Sequence, residues 1–178
     1  RNMASELTVQ TLRGPTSGAN ADTVLIPSGQ TLHAPGHIIN VTHGTHNSAG
    51  MSQASTGWVE YTPSRVTVTK KLGSGQSYLM VMAAAWIEYG VAASHLAYSL
   101  MRDGAEVTGA SYGLGNLYSS INASGAYQSS ADMSWVDTTS LAAGNYVYSV
   151  AVKSHNSATI QIGNGGRLGT MQILEIAQ

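Results

Sequence analysis

The sequence predicts an antiparallel all-β protein whose strands form a sandwich or jelly roll. Candidate strands recur at spacings of roughly ten residues, and no segment carries a helical period, which is typical of two packed sheets. Arg102-Asp103-Gly104-Ala105 indicates a tight hairpin, because Asp-Gly suits the positive φ angles of a type I′ turn. Residues 77–87 indicate a strand that is apolar on both faces. The first two observations give the fold class, and the third bears on assembly.

Residues 1–46 form the first of two regions with different textures. Short apolar bursts, such as 7–12, 23–26 and 37–41, alternate here with turn residues. Each burst is too short to build a core alone, so neighbouring copies of the chain would have to supply the missing contacts. We therefore predict a β-rich neck of strands wound together from different chains.

The second region begins after residues 47–57, a polar segment rich in Gly and Ser that we interpret as a linker. Residues 58–178 are predicted to form the C-terminal sandwich, because their strand pattern is denser. In residues 144–153, for example, Tyr146, Tyr148, Val150 and Val152 share one face. The predicted strands are 58–61, 65–71, 77–88, 95–102, 105–108, 132–137, 144–153, 158–162 and 169–176.

The strand within residues 77–87 has two apolar faces, although an antiparallel sheet usually turns one face to water. One face carries the larger side chains: Tyr78, Met80, Met82, Ala84 and Trp86. The other carries Leu79, Val81, Ala83, Ala85 and Ile87. We expect one face to fill the core of its own domain and the other to be covered by a partner chain. We assign Leu79, Val81, Ala83 and Ala85, with Ile173, to the chain–chain interface because small side chains allow close packing; the reverse assignment stays open.

Composition excludes several classes of function. Charged residues make up only 10% of the chain, and the formal net charge is −1, so there is no basic surplus for nucleic acid or an anionic membrane. There is no cysteine, which excludes disulfides and thiolate metal sites. No run of about 20 apolar residues is present, so membrane insertion is not predicted. Low charge without disulfides suits a part of a virion, which assembles inside a cell and works outside it.

Residues 109–131 are the strongest candidate for binding. The segment is long, uncharged and rich in Gly, Ser and Tyr, a composition that antibody loops also use because Tyr gives much contact area at low entropic cost. Sugars stack on such rings while their hydroxyls meet amide groups. The predicted receptor or glycan site is Tyr112, Asn116, Tyr118, Asn122 and Tyr127. The alternative is a structured loop whose tyrosines pack on the sandwich or on a neighbouring subunit.

No catalytic residue and no cofactor are predicted. Hydrolysis of a polysaccharide needs two carboxylates about 5–9.5 Å apart, and the carboxylates after residue 57 are few: Glu60, Glu88, Asp103, Glu106, Asp132, Asp137 and Glu175. Asp103 belongs to a turn and Glu175 to the last strand. His43 and His46 raise the weaker alternative of a metal site. Since no helix sets them side by side and carboxylates are sparse nearby, we expect hydrogen bonds to backbone or water and no metal.

Three segments resemble known proteins. Met3-Ala-Ser-Glu-Leu-Thr-Val-Gln-Thr-Leu12 resembles the opening of many phage tail-fibre and appendage proteins. Val24-Leu-Ile-Pro-Ser-Gly-Gln-Thr-Leu32 resembles the Ile-Pro-Ser/Thr-Gly-x-x-Leu segment that precedes their globular tips. Residues 158–162 and 168–176 are similar to the terminal strand pair of trimeric knobs of the tumour-necrosis-factor or C1q type on phage fibres.

This resemblance implies a homotrimer with an interwound β neck and a jelly-roll knob of the tumour-necrosis-factor or C1q type. It implies a place on the virion, contacts with other virion proteins through the N-terminus, and attachment of the knob to a polysaccharide on the host cell surface. The alternatives are a purely structural decoration or collar protein that binds no receptor, and a glycan hydrolase.

Overall fold

The computed structural model describes residues 34–46, 50–89, 95–118, 127–163 and 168–178. These residues form two antiparallel β-sheets that share one hydrophobic core, so the prediction of an all-β sandwich is confirmed. No part of the chain described here forms a helix that is long and apolar enough to cross a membrane. The strands, in chain order, are β1 (Ile38–His46), β2 (Met51–Gln53), β3 (Val59–Lys70), β4 (Ser77–Tyr89), β5 (His95–Arg102), β6 (Ala105–Glu106), β7 (Gly115–Tyr118), β8 (Tyr127–Asp137), β9 (Gly144–Ser154), β10 (Ile160–Ile162) and β11 (Gly169–Ala177).

The six-stranded sheet is built around β4. Strand β8 pairs with β4 along one edge, from Leu79 opposite Asp137 to Tyr89 opposite Tyr127. The other edge of β4 pairs first with β11 and then with β10. Strand β1 extends the sheet beyond β11, and β2 extends it beyond β10. Every strand of this sheet therefore depends directly or through one neighbour on β4.

The five-stranded sheet has the order β3, β9, β5, with β6 and β7 both paired to β5. Its β5–β6 connection is the predicted Asp-Gly hairpin, since Asp103 and Gly104 have φ angles of 50° and 83°. Strand β3 shifts register between Tyr61 and Val66. At this bulge the Ser64 hydroxyl donates to the Tyr61 carbonyl at 2.6 Å and accepts from the Val150 amide at 2.8 Å, which satisfies both backbone groups.

The inward face of β4 shows that the predicted interface was assigned to the wrong side of the strand. The five residues concerned lie in the hydrophobic core of a single chain: Leu79, Val81, Ala83, Ala85 and Ile173. None is more than 6% exposed, so they offer no surface to a second chain. Their small size serves a different purpose, because the same core must also hold the fully buried Tyr61 and Tyr148 at close-packed density.

The opposite face of β4 lies on the outside of the six-stranded sheet. Val41, Leu174, Met80 and Val136 form one row across four strands. Val41 remains 53% exposed and Val136 41% exposed. We call this surface the outer apolar face, and its members are Ile38, Val41, Tyr78, Met80, Met82, Val136, Leu174 and Ile176. The outward side of the central strand, where an antiparallel sheet usually carries polar residues, is thus an apolar surface that is partly open to solvent.

Two predicted boundaries are wrong. Residues 38–46, placed in the neck, pair with β11 along their length, and residues 51–53, placed in the linker, pair with β10. Both therefore belong to the sandwich. A short strand near the start of the chain becomes stable because a strand from the far end covers it, which no local pattern reveals. The rest of the predicted neck, residues 1–33, lies outside the described residues, and its role in assembly stays a prediction.

The predicted loop 109–131 also contains regular structure. Residues 115–118 form β7, and β8 begins at residue 127 rather than 132. Their Gly- and Ser-rich composition conceals two strands that the neighbouring β5 and β4 hold in register.

His46 ends β1 and is buried, with 5% of its surface exposed. Its ring meets Tyr61 edge-on with centroids 5.3 Å apart, and it lies directly over Gly169. Neither ring nitrogen has a hydrogen-bond partner among the described residues. Burial lowers the pKa of His46 below its ordinary value of 6.5, because the charged form cannot be solvated there.

We predict that this histidine makes the fold sensitive to mild acid. The unfolded chain binds the proton more readily, so the stability due to His46 is complete above about pH 6.5 and is lost as the pH falls toward the lower folded pKa. Urea unfolding of the wild type at pH 7.5 and pH 5 should show this loss. His46→Leu should reduce it, whereas His43→Gln, on the exposed face of the same strand, should leave it unchanged. An identical loss in the wild type and in His46→Leu would contradict the assignment.

Candidate functional site

Three of the five predicted binding residues lie together at one end of the outer face of the five-stranded sheet. Tyr112, Asn116 and Tyr118 are all exposed there. Asn122 lies outside the described residues. Tyr127 is the first residue of β8, which belongs to the six-stranded sheet, so its strand is not one of those that build the site. The candidate site is therefore smaller than the sequence indicated and is built from a turn and β7.

Strand register explains why these side chains meet. His95, the first residue of β5, lies directly opposite Tyr118 of β7, and Asn116 lies opposite Ala97. On the other side of β5, Leu96 pairs with Ser154 of β9, and the amide of the next residue, His155, donates to the His95 carbonyl at 2.7 Å. The start of β5 and the ends of β7 and β9 therefore lie side by side.

Four rings form the centre of the site. The His95 ring stacks on Tyr112 with centroids 5.2 Å apart and planes inclined by 24°. His155 lies 4.4 Å from His95 and 4.6 Å from Tyr112. Tyr118 meets His95 edge-on at 5.6 Å. We call this group the aromatic cluster: His95, Tyr112, Tyr118 and His155. Tyr112 is 48% exposed and Tyr118 64% exposed, so aromatic surface remains available to a ligand.

Gly113 places Tyr112 beside the other rings. Its φ of +60° is left-handed, and a Cβ atom there would lie 2.6 Å from the Trp58 ring and 2.7 Å from the Tyr98 carbonyl oxygen. Trp58 therefore packs directly against the backbone of this turn. The ammonium group of Lys153 lies 4.7 Å from the centroid of the Trp58 ring, which is cation–π geometry.

The electrostatic surroundings of the cluster are positive. Burial lowers the pKa of His155, and the nearby His95 and Lys153 lower it further. The two carboxylates on this face of the sheet are already engaged. Glu60 accepts from Arg65 at 2.8 Å and from Ser149 at 2.7 Å, and Glu106 accepts from the Gly109 amide at 2.6 Å. No hydrogen bond or ion pair joins the cluster to a carboxylate of the described residues.

Asp137 and Glu175 are the buried carboxylates of the described residues. Asp137 accepts from the Tyr148 hydroxyl at 2.8 Å and is paired with Arg102. Burial opposes ionisation of Asp137, but hydrogen bonds from Thr139, Tyr148 and Arg102 outweigh it and hold its pKa low. Glu175 accepts from the Lys71 and Leu72 amides at 2.7 and 2.8 Å. Both groups therefore have structural partners.

Residues 109–113 read Gly-Ala-Ser-Tyr-Gly, the spacing of a nucleophile elbow. That motif needs a strand-to-helix turn and a base within hydrogen-bonding reach of the serine. Here the segment is a turn that leads into β7, and the exposed Ser111 makes no hydrogen bond to any described residue. The geometry does not support an activated serine.

The structure does not bring His43 and His46 together. These residues lie three positions apart on a strand and therefore on opposite faces: His43 is exposed and His46 is buried. Across the described ranges, no group of three or more His, Cys, Asp or Glu could hold a metal ion.

A second surface feature is an open groove of about 650 Å³ on the outside of the six-stranded sheet. Its lining includes His43, Met82, Ala84, Asp132, Thr170 and Gln172. It is continuous with the outer apolar face, because Met82 belongs to both. Its wide opening and mixed lining fit contact with another folded surface better than enclosure of a small ligand.

Sequence reasoning missed His95, His155 and Lys153 as site residues. His95 and His155 lie far apart along the chain, and only the pairing of β5 with β9 brings them together. A signal was present, since His95 begins the predicted strand 95–102 and His155 lies two residues beyond the predicted strand 144–153. No protein-family model matches this chain, and no curated protein matches it either. The site must therefore be interpreted from its own chemistry.

We predict that Gly113→Ala damages the site more than Gly109→Ala. Both glycines have left-handed φ angles, +60° and +66°, so both substitutions carry a backbone penalty of roughly 1 kcal/mol. Only at Gly113 would the new methyl group also collide with Trp58 and Tyr98, at a further cost of roughly 1–3 kcal/mol. Urea unfolding measures the difference in stability, and near-UV circular dichroism reports on changes in the packing of the aromatic side chains. Equal losses of stability in the two variants would show that Gly113 is not a packing constraint.

Proposed function

We propose that this chain is a non-enzymatic structural component of a phage fibre or related appendage, and that its sandwich domain attaches to a polysaccharide on the host cell surface. The observation that carries the proposal is the aromatic cluster. Exposed tyrosine rings beside the amide of Asn116 offer flat apolar faces and a hydrogen-bonding group, which together suit a sugar ring. The site is shallow and lacks an activated nucleophile or a carboxylate pair, which favours binding over catalysis.

A jelly roll of the tumour-necrosis-factor or C1q type is the architecture we propose for the sandwich. The strand order supports it: β1, β11, β4 and β8 lie side by side in one sheet, and β3, β9, β5 and β7 in the other. The chain crosses repeatedly between sheets, and its last long strand lies beside the central strand β4. These features agree with the resemblance of residues 158–162 and 168–176 to the terminal strand pair of phage fibre knobs.

A homotrimer is the assembly we propose, with the outer apolar face as the contact between chains. Burial of a contiguous apolar surface is the usual reason for a soluble protein to associate. The aromatic cluster belongs to the other sheet, so association through the outer apolar face would leave every copy of the cluster free. Several weak sites on one particle would then give strong attachment by avidity.

The assembly is tested by placing an aspartate on each face of β4. Met80→Asp, on the outer apolar face, should give a folded chain that is monomeric by sedimentation or light scattering. Leu79→Asp should fail to fold, because an unpaired carboxylate in the core costs more than about 3 kcal/mol. Thr67→Asp, on an exposed position of β3, is the matched control and should stay trimeric. A monomeric wild type, or a trimeric Met80→Asp, would remove this interface from the proposal.

Attachment is tested with a glycan array and with adsorption of the purified protein to host cells. Tyr118→Ala should weaken binding by roughly three- to tenfold per site, as expected for the loss of one stacked ring. Leu168→Ala removes an equally exposed apolar side chain outside the cluster and should bind normally, since both residues are 64% exposed.

Two other outcomes would replace the proposal. Wild-type protein that neither binds host cells nor competes with phage would favour a purely structural virion protein, in which the rings of the cluster stack only on one another. Release of reducing ends from the host polysaccharide would favour a hydrolase.

A further inference from the structure

We infer that the sugar bound at the aromatic cluster is acidic, with its carboxylate held by His95, His155 and Lys153. This inference rests on the proposed function, since it names the class of sugar that the same site would take. It depends on three properties of the site: a close pair of imidazoles, an ammonium group beside them, and the lack of any carboxylate bonded to these groups within the described residues.

The two imidazoles are close enough to share one anion. Their ring centroids lie 4.4 Å apart, and the His155 amide donates a hydrogen bond to the His95 carbonyl, which holds the two backbones side by side. The Nε2 atom of His155 is buried and has no hydrogen-bond partner among the described residues. The Nε2 atom of His95 is 3.5 Å from the side-chain nitrogen of Asn116, a marginal contact. A ligand oxygen could replace the marginal contact at His95, and a movement of the His155 side chain would open its Nε2 atom to the same ligand.

No carboxylate of the described residues balances the charge around the pair. Lys153 interacts with the ring of Trp58 and takes part in neither of the two ion pairs of the described region, which join Arg65 to Glu60 and Arg102 to Asp137. The groups facing the two histidines are Lys153, from β9, and the hydroxyl-bearing rings Tyr112 and Tyr118. None of these supplies a negative charge at neutral pH. A bound carboxylate would supply the missing charge.

An acidic sugar fits this combination better than other anions. Its ring has an apolar face for stacking on tyrosine, and its carboxylate lies at the edge of that ring. Tyr118 is 64% exposed and meets His95 edge-on at 5.6 Å, so a sugar stacked on Tyr118 would bring its carboxylate beside the histidines. Free phosphate has no face to stack. A nucleic acid has both bases and phosphates, but its binding needs an extended run of cations, and this chain has a net charge of −1.

The site should take up protons when it binds. In the free protein, burial, His95 and Lys153 all oppose protonation of His155. A carboxylate nearby reverses the balance, so affinity should rise as the pH falls from 8 toward 5.5, while the sugar carboxylate stays ionised throughout. One charge-assisted hydrogen bond gained in this way corresponds to about tenfold in affinity.

The experiment compares acidic sugars with neutral partners of the same shape by ligand-observed NMR titration. The pairs are glucuronate with glucose, galacturonate with galactose, and N-acetylneuraminate with its methyl ester, each at pH 5.5 and pH 8. Circular dichroism checks that the protein stays folded at pH 5.5. We expect at least one acidic sugar to bind about tenfold more tightly than its neutral partner at pH 5.5, with most of this preference lost at pH 8.

Variants separate charge from stacking. The double variant His95→Gln, His155→Gln should retain stacking but lose the pH dependence. Lys153→Gln should weaken the acidic sugar at both pH values and leave the neutral sugar unaffected. His43→Gln, on the other sheet, should change nothing. If the double variant unfolds, Lys153→Gln alone still tests the preference for charge.

The results of these experiments distinguish failure of the acidic-sugar inference from failure of the proposed glycan attachment. Neutral and acidic sugars that bind equally, with loss of both in Tyr118→Ala, would overturn the acidic ligand and leave glycan attachment in place. No saturable binding of any acidic sugar at pH 5.5, while the glycan array still shows a neutral ligand, would have the same meaning. Absence of any glycan binding, with normal adsorption of Tyr118→Ala to cells, would overturn both.

Discussion

The structure depends on one strand, β4, whose apolar side chains point both ways. Its inward face provides Leu79, Val81 and Ile87, all fully buried, and each such side chain contributes roughly 1.5–3 kcal/mol when removed from water. Its two edges carry β8 on one side and β11 with β10 on the other, so the six-stranded sheet could not form around a weaker centre. A strand in this position needs no polar face of its own, because the ladder hydrogen bonds satisfy its backbone.

The same constraint separates the two outer surfaces of the sandwich. Outside β4 the surface carries an apolar row of Val41, Leu174, Met80 and Val136, beside the groove of mixed lining. The other sheet carries its polar and aromatic residues outward at the ends of β5, β7 and β9. A protein with an apolar surface on one sheet and an aromatic, positively charged site on the other is suited to associate through the first and bind through the second.

Local chemistry in the sequence predicted much of the fold but little of the site's composition. The Asp103-Gly104 hairpin and the limits of β4 and β9 follow from turn residues and alternation, which act over a few positions. Strand β1 depends on pairing with β11 from the opposite end of the chain, and β7 is hidden in Gly- and Ser-rich sequence. Which face of β4 is buried could not be predicted, because both faces are apolar and only the position of the second sheet decides. His95 and His155 could not be predicted as site residues for a similar reason, because the order of the strands in the sheet brings them together and their spacing in the sequence does not reveal it.

Low overall charge gives the few cationic groups near the aromatic cluster more influence than they would have on an ordinary surface. With 10% charged residues and a net charge of −1, the chain produces no long-range field that would draw a polyanion toward it. Recognition must then occur at contact, where Lys153 and two partly buried imidazoles act at short distance and in a medium less polar than water. Salt weakens such contacts less than it weakens long-range steering. Under the proposal, such a site would select among sugars by the position of one negative charge relative to a stacked ring, which an uncharged tyrosine surface could not do.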